Sequence, residues 1–387
     1  MMCKVCVVVT ARASYSRIKS ALRAIVEHPD LELRLVVGAS ALLHRYGDAV
    51  EYIERDGFEI AARVYMIVEG ENPITSAKST GLGLVELATI FDNLQPDIVV
   101  TIADRFETLA TAAAASYMNI PVAHVQGGEV TGSIDEKVRH AVTKLSNLHL
   151  VATKKAAERV IRMGEDSATV FVTGCPSIDL AASILDSSAL DFDPISRYGG
   201  VGSVDPSLKS SDDYIVVMQH PVTTEYGEAR RQVTEVLHAV SELGLPAFWF
   251  WPNVDAGSDG TSKGIRVLRE SDLKSAIHFF RNMAPEDFLR LIYNSRCVVG
   301  NSSVGIRECS FLGVPVVNVG SRQVGRERGP NVADVEYDRE EIITAIRRQV
   351  AHGRYSQDFL YGDGKAGERI ADLLATADLS IEKRLTY

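Results

Sequence analysis

The sequence has few cysteines, no long apolar run and no surplus of basic residues. Its five cysteines are odd in number and scattered along 387 residues, a pattern typical of buried thiols in a reducing compartment and not of a disulfide framework. No apolar stretch approaches the ~20 residues that a membrane-spanning helix needs, and the N-terminus lacks the pattern of a signal peptide. We therefore expect a cytoplasmic protein without a membrane partner.

The charge balance is acidic, with a formal net charge of −10. Proteins that bind nucleic acid usually carry a basic surplus or a basic stripe, so we predict no nucleic-acid partner. Local basic clusters could still bind a small phosphorylated ligand, because net charge does not describe a cleft. The 46% of hydrophobic and 24% of charged residues are an ordinary globular mixture, and the length is sufficient for two domains.

Short β-branched runs alternate with amphipathic helical patterns along the chain. Runs such as "KVCVVVT" (4–10) are almost continuously apolar, which indicates a parallel sheet buried on both faces. The rhythm pauses at 183–212, a stretch rich in Ser, Asp, Gly and Pro, and then resumes. We predict an α/β fold of two Rossmann-like doubly wound domains, 1–180 and 213–365, with a linker at 181–212 and a cleft between the domains.

Polar residues follow several of the predicted strands, where ligands of doubly wound sheets bind. The carboxylates are Asp104, Glu129 and Asp135, and each is a candidate for proton transfer. Asp135 could equally be a first-turn acid that stabilises its helix. The other candidates at strand ends are the cations and histidine that the runs "TARASYS", "ADRFE" and "QHPVT" supply, namely Arg12, Arg105 and His220.

Three other polar residues near these strands have ordinary structural explanations. His124 lies inside an apolar run and is predicted to be a satisfied core residue. Arg139 and His140 lie on the helix that follows Asp135, and we predict packing and surface roles for them rather than catalytic ones.

The stretch "GNSSVGIRE" (300–308) is a candidate anion site. Ser302 or Ser303 can cap the next helix, whose free N–H groups and dipole favour a phosphate. A capped turn that only joins a strand to a helix explains the same motif equally well. Glu308 could accept hydroxyl groups of a ribose, and Arg322 in the Gly-rich run "GSRQVGRERG" could bind a diphosphate, since arginine grips phosphate in a bidentate manner.

Several common sites are absent from the sequence. The phosphate-loop motif and the dinucleotide fingerprint do not occur, and no G-x-S-x-G elbow supports a serine nucleophile. No HExxH or Cys/His set suggests a metal, so we predict no metal and no cofactor. A phosphate cradle in one domain and carboxylates in the other suit cleavage of a sugar–diphosphate bond.

The motifs together resemble the hydrolysing UDP-N-acetylglucosamine 2-epimerases of sialic acid synthesis. They occur in the family's order over nearly the whole chain: "TARASYS", "YGDAVEYIERDGFEI", "ADRFETLATAAAASYMNIPVAHVQGGEVTGSIDEKVRHAVTKL", "GCPSID", "QHPVTTE", "PNVDAGS", "GNSSVGIRE" and "GSRQVGRERG".

The resemblance implies a GT-B fold with a C-terminal helix, 366–387, that crosses back to the N-terminal domain. It implies an acid–base set of Asp104, Glu129 and Asp135, with His220 near the diphosphate. It also implies a UDP site lined by Arg12, Ser16, Arg105, His220, Asn253, Met283, Ser302, Ser303, Glu308 and Arg322. Gln126 stands where many relatives carry an acid; because an amide cannot exchange a proton at neutral pH, it could only hold substrate.

The implied reaction eliminates UDP from UDP-N-acetylglucosamine to give a 2-acetamidoglucal. Water then adds with the opposite sense at C2 and releases N-acetylmannosamine. Relatives of this kind act on UDP-linked diacetamido-trideoxy sugars or GDP-N-acetylglucosamine, and these substrates remain alternatives. A non-hydrolysing 2-epimerase and a catalytically silent sugar-nucleotide sensor are further alternatives. The resemblance also suggests a homodimer or homotetramer.

Overall fold

The computed structural model describes residues 2–44, 49–70, 72–131, 134–202, 213–252, 257–270 and 276–386. They form two compact units. Unit 1 comprises residues 1–130, 134–180 and 361–387, and unit 2 comprises chiefly residues 181–360. No helix among the described residues is both long and apolar enough to cross a membrane.

Unit 1 is built on a parallel sheet whose seven strands stand in the order β3-β2-β1-β4-β5-β6-β7. The strands are β1 (Cys3–Val9), β2 (Leu31–Gly38), β3 (Ile60–Val64), β4 (Ile98–Ile102), β5 (Val122–Val125), β6 (Leu148–Val151) and β7 (Val170–Val172). The order of strands reverses at β1: β2 and β3 extend the sheet on one side of it, and β4 to β7 extend it on the other. β1 and β4 are therefore neighbours although they are distant in sequence. The central strands are buried on both faces, as their continuous valine and isoleucine runs predict.

The helices of unit 1 cover both faces of this sheet. They are α1 (Arg12–Glu27), α2 (Ala49–Arg55), α3 (Pro73–Leu94), α4 (Phe106–Tyr117), α5 (Asp135–Leu145), α6 (Lys154–Arg162), α7 (Pro176–Ser183), which reaches the boundary with unit 2, and the C-terminal α15 (Ala366–Thr376). One apolar cluster contains α1 and α15, and a second, on the other sheet face, contains α3 and α4. Asn72 caps α3 and shares a reciprocal capping box with Thr75.

Unit 2 contains a second seven-stranded sheet, in the order β14-β13-β12-β9-β10-β11-β8. Its strands are β8 (Val201–Gly202), β9 (Ile215–Met218), β10 (Ala247–Phe250), β11 (Ile277–Phe280), β12 (Cys297–Gly300), β13 (Val316–Val319) and β14 (Val332–Val335). All pairs are parallel except β8, which adds to the edge strand β11 in the antiparallel direction. Its helices are α8 (Pro194–Tyr198), α9 (Ala229–Leu243), α10 (Ser258–Glu270), α11 (Pro285–Tyr293), α12 (Ser303–Ile306), α13 (Glu308–Leu312) and α14 (Arg339–His352).

The two Rossmann-like parallel sheets confirm the predicted α/β class, and the segment that joins them differs from a bare linker. Residues 194–198 form α8 and residues 201–202 form β8. They are ordered because β8 finds a free sheet edge at β11, and because the Tyr198 hydroxyl donates to Asp287 at 2.6 Å. Tyr361 to Lys365, predicted in the second domain, lie in unit 1.

Candidate active site

A buried ion pair lies at the carboxyl end of β4 in unit 1. Asp104 follows the strand and is 9% exposed, and its carboxylate accepts a hydrogen bond from Nη2 of Arg139, which is 1% exposed. Ala103, just before it, has a φ of +65°, a left-handed conformation that is costly for a residue with a Cβ. The backbone therefore turns sharply where the carboxylate leaves the strand.

Arg139 also reaches two other segments of the same unit. Its Nη1 donates to the main-chain oxygen of Glu129 at 2.8 Å and to the Glu136 carboxylate at 3.1 Å. Packing and surface roles were predicted for Arg139, but the structure makes it the cation that ties the end of β4 to the loop after β5. The available signal was its place one turn beyond Asp135, since residues at i and i+4 share a helix face.

The two remaining carboxylates of the predicted acid–base set are close to this cation in the chain. Glu129 is 4% exposed and ends the turn after β5, while Asp135 is the first residue of α5 and half-buried. Gly128 in that turn has a φ of +72°, and a Cβ there would lie 2.3 Å from the Ala156 oxygen. A larger residue would push the turn away from α6. Gly128 therefore helps to fix the position of the Glu129 backbone.

His124 is a core residue, as predicted, and it supports the end of β4. It is fully buried, its Nε2 donates to the Ala103 oxygen at 2.8 Å, and its Nδ1 accepts from the Thr143 hydroxyl at 3.3 Å. These partners fix one neutral tautomer. Desolvation lowers the pKa of His124 to about 4, so the ring is neutral at physiological pH.

Gln126 directly follows β5, and its side chain is held by other residues of unit 1. Its Nε2 donates to Sγ of Cys175 at 2.7 Å, and Sγ in turn contacts Oγ of Ser177 at 2.9 Å. The residue is 1% exposed and has a φ of +67°. Its predicted role as a substrate-holding residue stays a prediction, and the structure gives its amide a definite partner in the core.

The predicted cations of unit 1 lie at helix starts. Arg12 is the first residue of α1, and desolvation lowers the pKa of its guanidinium to about 10, which leaves it charged at neutral pH. Arg105 precedes α4 and contacts the buried carboxylate of Glu107 at 3.3 Å. The Ser16 hydroxyl donates to main-chain oxygens of its own helix, including Arg12 at 3.2 Å.

In unit 2 the helix predicted after "GNSS" is broken. It ends as α12 after four residues, and α13 begins at Glu308, because the backbone of Arg307 is distorted from ideal helical values, with φ −101° and ψ −70°. So short a helix contributes little dipole, and an anion here would depend on N–H groups and side chains. Ser302 caps α12 by accepting from the Val304 N–H at 3.5 Å, and Ser303 Oγ accepts from Nη2 of Arg307 at 2.8 Å.

Glu308 is 5% exposed at the start of α13. Among the described residues, no group donates a hydrogen bond to its Oε2. A buried carboxylate oxygen usually accepts a hydrogen bond. An oxygen that lacks a donor could accept one from a hydroxyl group of a ligand. The observation supports the ribose role predicted for Glu308.

Asn301 joins three loops of unit 2, a role that its place in the run "GNSS" does not predict. It is fully buried; its Oδ1 accepts from the His220 N–H and its Nδ2 donates to the His220 oxygen, both at 2.8 Å. Its main-chain oxygen accepts from Nη1 of Arg322 at 3.2 Å and from Gln323 at 2.8 Å. The Asn301 side chain therefore holds the loop after β9, and its main-chain oxygen holds the loop after β13, at the turn after β12.

The other predicted residues of unit 2 complete this description. His220 is 6% exposed and lies two residues after β9. Met283 is 3% exposed and lies between β11 and α11. Asn253 lies outside the described residues. That the loops of both units face one cleft stays a prediction.

Two Rossmann-like α/β units define the GT-B-like class of folds, and comparison with solved structures supports it. The chain is similar to the Methanocaldococcus jannaschii UDP-GlcNAc 2-epimerase solved with UDP-GlcNAc and UDP, with a TM-score of 0.78 at 18% identity, covering 96% of this chain and 99% of that one. The model of the UDP-N-acetylglucosamine 2-epimerase family matches residues 23–375 of this chain. The chain therefore belongs to that family.

Two curated relatives align over almost their whole length. The UDP-N,N'-diacetylbacillosamine 2-epimerase (hydrolyzing) of Legionella pneumophila is 34% identical, over 98% of this chain and 97% of the relative. The UDP-N-acetylglucosamine 2-epimerase of Neisseria meningitidis serogroup B is 30% identical, over 96% of both chains. The predicted resemblance is thereby confirmed at the level of the family.

Proposed function

We propose that this protein is a hydrolysing 2-epimerase that converts a UDP-linked 2-acetamido sugar to the free 2-epimer and UDP. The observation that carries the proposal is the buried contact of Arg139 with Asp104, the Glu129 main chain and Glu136. It joins the three segments that hold the predicted acid–base carboxylates at one end of one sheet.

The first step is an elimination. The C2–H of the sugar is a weak acid, so the bond from C1 to the UDP oxygen has to loosen first and leave positive charge at the ring. A carboxylate of the set Asp104, Glu129 and Asp135 takes the C2 proton, the C1–O bonding electrons leave with UDP, and a 2-acetamidoglucal forms. Positioned proton transfer of this kind contributes about 10²- to 10⁴-fold in rate.

The second step is a hydration. Water adds its oxygen to C1 and gives its proton to a carboxylate, while a protonated carboxyl group delivers a proton to C2 on the face opposite to the one from which the first proton was removed. The product is the free sugar with inverted C2. The acid of this step differs from the base of the first step, because the two groups must lie on opposite faces of C2, and a set of three carboxyl groups can supply both.

Binding of the leaving group is assigned to unit 2. Ser302, Ser303 and Arg322 would hold the diphosphate, and Glu308 would accept the ribose hydroxyls. Cations at the diphosphate stabilise the charge that develops as UDP departs, which lowers the barrier to C–O cleavage. The loop bonds of Asn301 keep Arg322 and His220 near this turn.

Two substrates are supported. The motifs favour UDP-N-acetylglucosamine, and the Neisseria relative carries that name. The Legionella relative favours UDP-N,N'-diacetylbacillosamine, and its name also supports the hydrolysing outcome. Five free cysteines support a cytoplasmic location, and self-association into a homodimer or homotetramer is part of the proposal.

The test is incubation with each substrate in D2O, followed by mass spectrometry and NMR. We expect free UDP and a 2-epimeric sugar that carries deuterium at C2, with the faster substrate identified by kcat/KM. A product that still carries UDP would replace the proposal with a non-hydrolysing 2-epimerase. Binding without turnover of either compound, or of GDP-N-acetylglucosamine, would replace it with a sensor.

A further inference from the structure

The segment after α15, residues 377–386, forms no helix or strand and belongs to unit 1. The Thr386 hydroxyl donates to the Glu165 main-chain oxygen at 3.3 Å, and Asn147 donates to a main-chain oxygen of the segment at 3.1 Å. Between these bonds, the Lys383 side chain is 26% exposed and donates hydrogen bonds into the unit. A segment without regular structure has no backbone ladder, so these bonds fix where it lies.

The Lys383 ammonium group binds the end of α5. It donates to the main-chain oxygens of Thr143, at 3.2 Å, and of Ser146. The last carbonyl groups of a helix lack partners within the helix, and a cation is favourable there because the helix dipole is negative at that end. α5 does not end in a glycine, and Ser146 follows it in an extended conformation. Lys383 therefore completes this helix end from 237 positions away.

Lys383 also contacts the Glu165 carboxylate, which is 3% exposed at its side chain. Burial would raise the pKa of this carboxylate, but hydrogen bonds from His149, Lys144 and Lys383 lower it to about 2, so the group is charged at neutral pH. Lys144 already donates to its other oxygen at 2.6 Å. A second lysine supplies a cation to Glu165, so the contacts that Lys383 alone contributes are those with α5.

Thr143 connects this helix end to the end of β4. Its main-chain oxygen accepts from Lys383, whereas its hydroxyl donates to Nδ1 of His124 at 3.3 Å. Nε2 of His124 donates to the oxygen of Ala103 at 2.8 Å. Ala103 is the left-handed residue directly before Asp104. A continuous line of bonds therefore runs from the 377–386 segment to the backbone of a proposed acid–base residue.

We propose that Lys383 is a positioning residue for the reaction. Through Thr143 and His124 it fixes the backbone from which the carboxylate of Asp104 leaves β4. In this role the ammonium group contacts no substrate and transfers no proton. A misplacement of reacting groups by about 1 Å can cost about 10²-fold in rate even when its cause lies far from the chemistry. The inference rests on the proposed function and assigns to it a residue that the reaction steps do not include.

The first experiment measures kcat, KM and UDP affinity for the wild type, Lys383→Met, Lys144→Met and Arg384→Met. We expect Lys383→Met to lower kcat by about 10- to 100-fold, with UDP affinity within about twofold because unit 2 is proposed to bind UDP. Lys144→Met is the matched control, since it removes a cation from the same carboxylate and leaves the bonds from Lys383 to α5. Arg384, the next residue, has a side chain that is 85% exposed. Both controls should keep kcat within about threefold of the wild type.

The second experiment is a double-mutant cycle with Thr143→Val. This variant loses the hydroxyl that bonds to His124 and keeps the main-chain oxygen that Lys383 binds. Alone it should lower kcat by about 3- to 10-fold with unchanged UDP affinity. Combined with Lys383→Met, the loss should be smaller than the product of the two single losses by about threefold or more, because both changes break one line of bonds. Multiplicative losses would overturn the proposal.

Hydrogen exchange followed by mass spectrometry adds a measurement that needs no turnover. Lys383→Met should speed exchange by about tenfold at residues 103–105 as well as at the end of α5, and Thr143→Val should do so at residues 103–105. Exchange that changes only in the 377–386 segment and α5 would overturn the proposal, since Lys383 would then only anchor that segment.

Unchanged kcat in Lys383→Met, or an equal loss in Lys144→Met, would also overturn the positioning role while the proposed reaction stands. A wild type that releases no UDP from any substrate would overturn the proposed reaction instead. In that case the exchange rates at residues 103–105 still decide whether Lys383 fixes that backbone.

Discussion

In unit 1 a charged arginine side chain connects the loops that follow the strands, whereas in unit 2 the neutral amide of an asparagine bonds to such a loop. In unit 1 the Arg139 guanidinium spans Asp104, the Glu129 carbonyl and Glu136. In unit 2 the Asn301 side chain bonds to both main-chain groups of His220. The guanidinium balances the charge of the buried carboxylate it contacts, whereas the neutral amide positions a loop and leaves the field of Arg322 available to a ligand.

The largest effect expected from this comparison concerns the carboxylates of unit 1. Glu129→Gln and Asp135→Asn should each lower kcat by about 10²- to 10⁴-fold, because an amide cannot transfer a proton. The affinity for UDP, measured by calorimetry, should stay within about twofold if nucleotide binding belongs to unit 2. Full turnover in both variants would contradict the acid–base assignment.

The buried ion pair should dominate the stability of the end of β4. Arg139→Ala leaves the Asp104 carboxylate buried without its partner, and we expect a loss of about 3–5 kcal/mol in the free energy of unfolding by urea titration. The double variant with Asp104→Asn should recover part of that loss, since the uncompensated charge is gone. Equal losses in the single and double variants would show that packing of the arginine stem matters more than its charge.

The neutral His124 makes unit 1 sensitive to acid. Its pKa is about 4 when folded and about 6.5 when unfolded, so the unfolded chain binds more protons between these values and stability falls as the pH falls through that window. The loss from this group is about 3 kcal/mol by pH 4. His124→Gln should flatten this part of the pH profile in urea titrations, and the residual slope reports His149, whose pKa is also lowered by desolvation.

The cation of unit 2 should affect binding without affecting chemistry. Arg322→Ala should weaken UDP binding by about 10- to 100-fold, the value of one or more charge-assisted hydrogen bonds. Arg347→Ala, an exposed arginine on α14 of the same unit, is the comparison variant. Unchanged UDP affinity in Arg322→Ala would count against a diphosphate site in this loop.

The neutral amide of Asn301 should give the smallest effect. Asn301→Asp keeps the acceptor for the His220 N–H but replaces the donor to the His220 oxygen, which costs about 1–3 kcal/mol in unfolding free energy. We expect KM to rise while kcat changes by a smaller factor, because the loop that carries His220 loses one of its two bonds to this side chain, whereas the bond from Arg322 to the main-chain oxygen of residue 301 stays. A kcat effect as large as that of Glu129→Gln would mean that the two units are not divided as proposed.

Much of the architecture was predictable because buried parallel strands leave a local record. The valine-rich runs predict the strands, and the helical spacing between them predicts the doubly wound order. The composition of 181–212 is that of a loop and predicts a linker, whereas the edge strand β8 within it contains only two residues. So short a strand has no detectable periodicity. Residues 201–202 form a strand only because they pair with the free edge of β11.

The sequence by itself determined the fold class, the family and which polar residues follow which strands, since these depend on the order of residue types along the chain. The tertiary structure alone decided the partnerships: Arg139 with Asp104 across 35 positions, Asn301 with His220 across 81, and the break of the predicted helix at Arg307. A buried charge or amide needs a hydrogen-bond partner, and the fold can supply it from a distant part of the chain. The residues next to it in sequence therefore carry no pattern that predicts the partner.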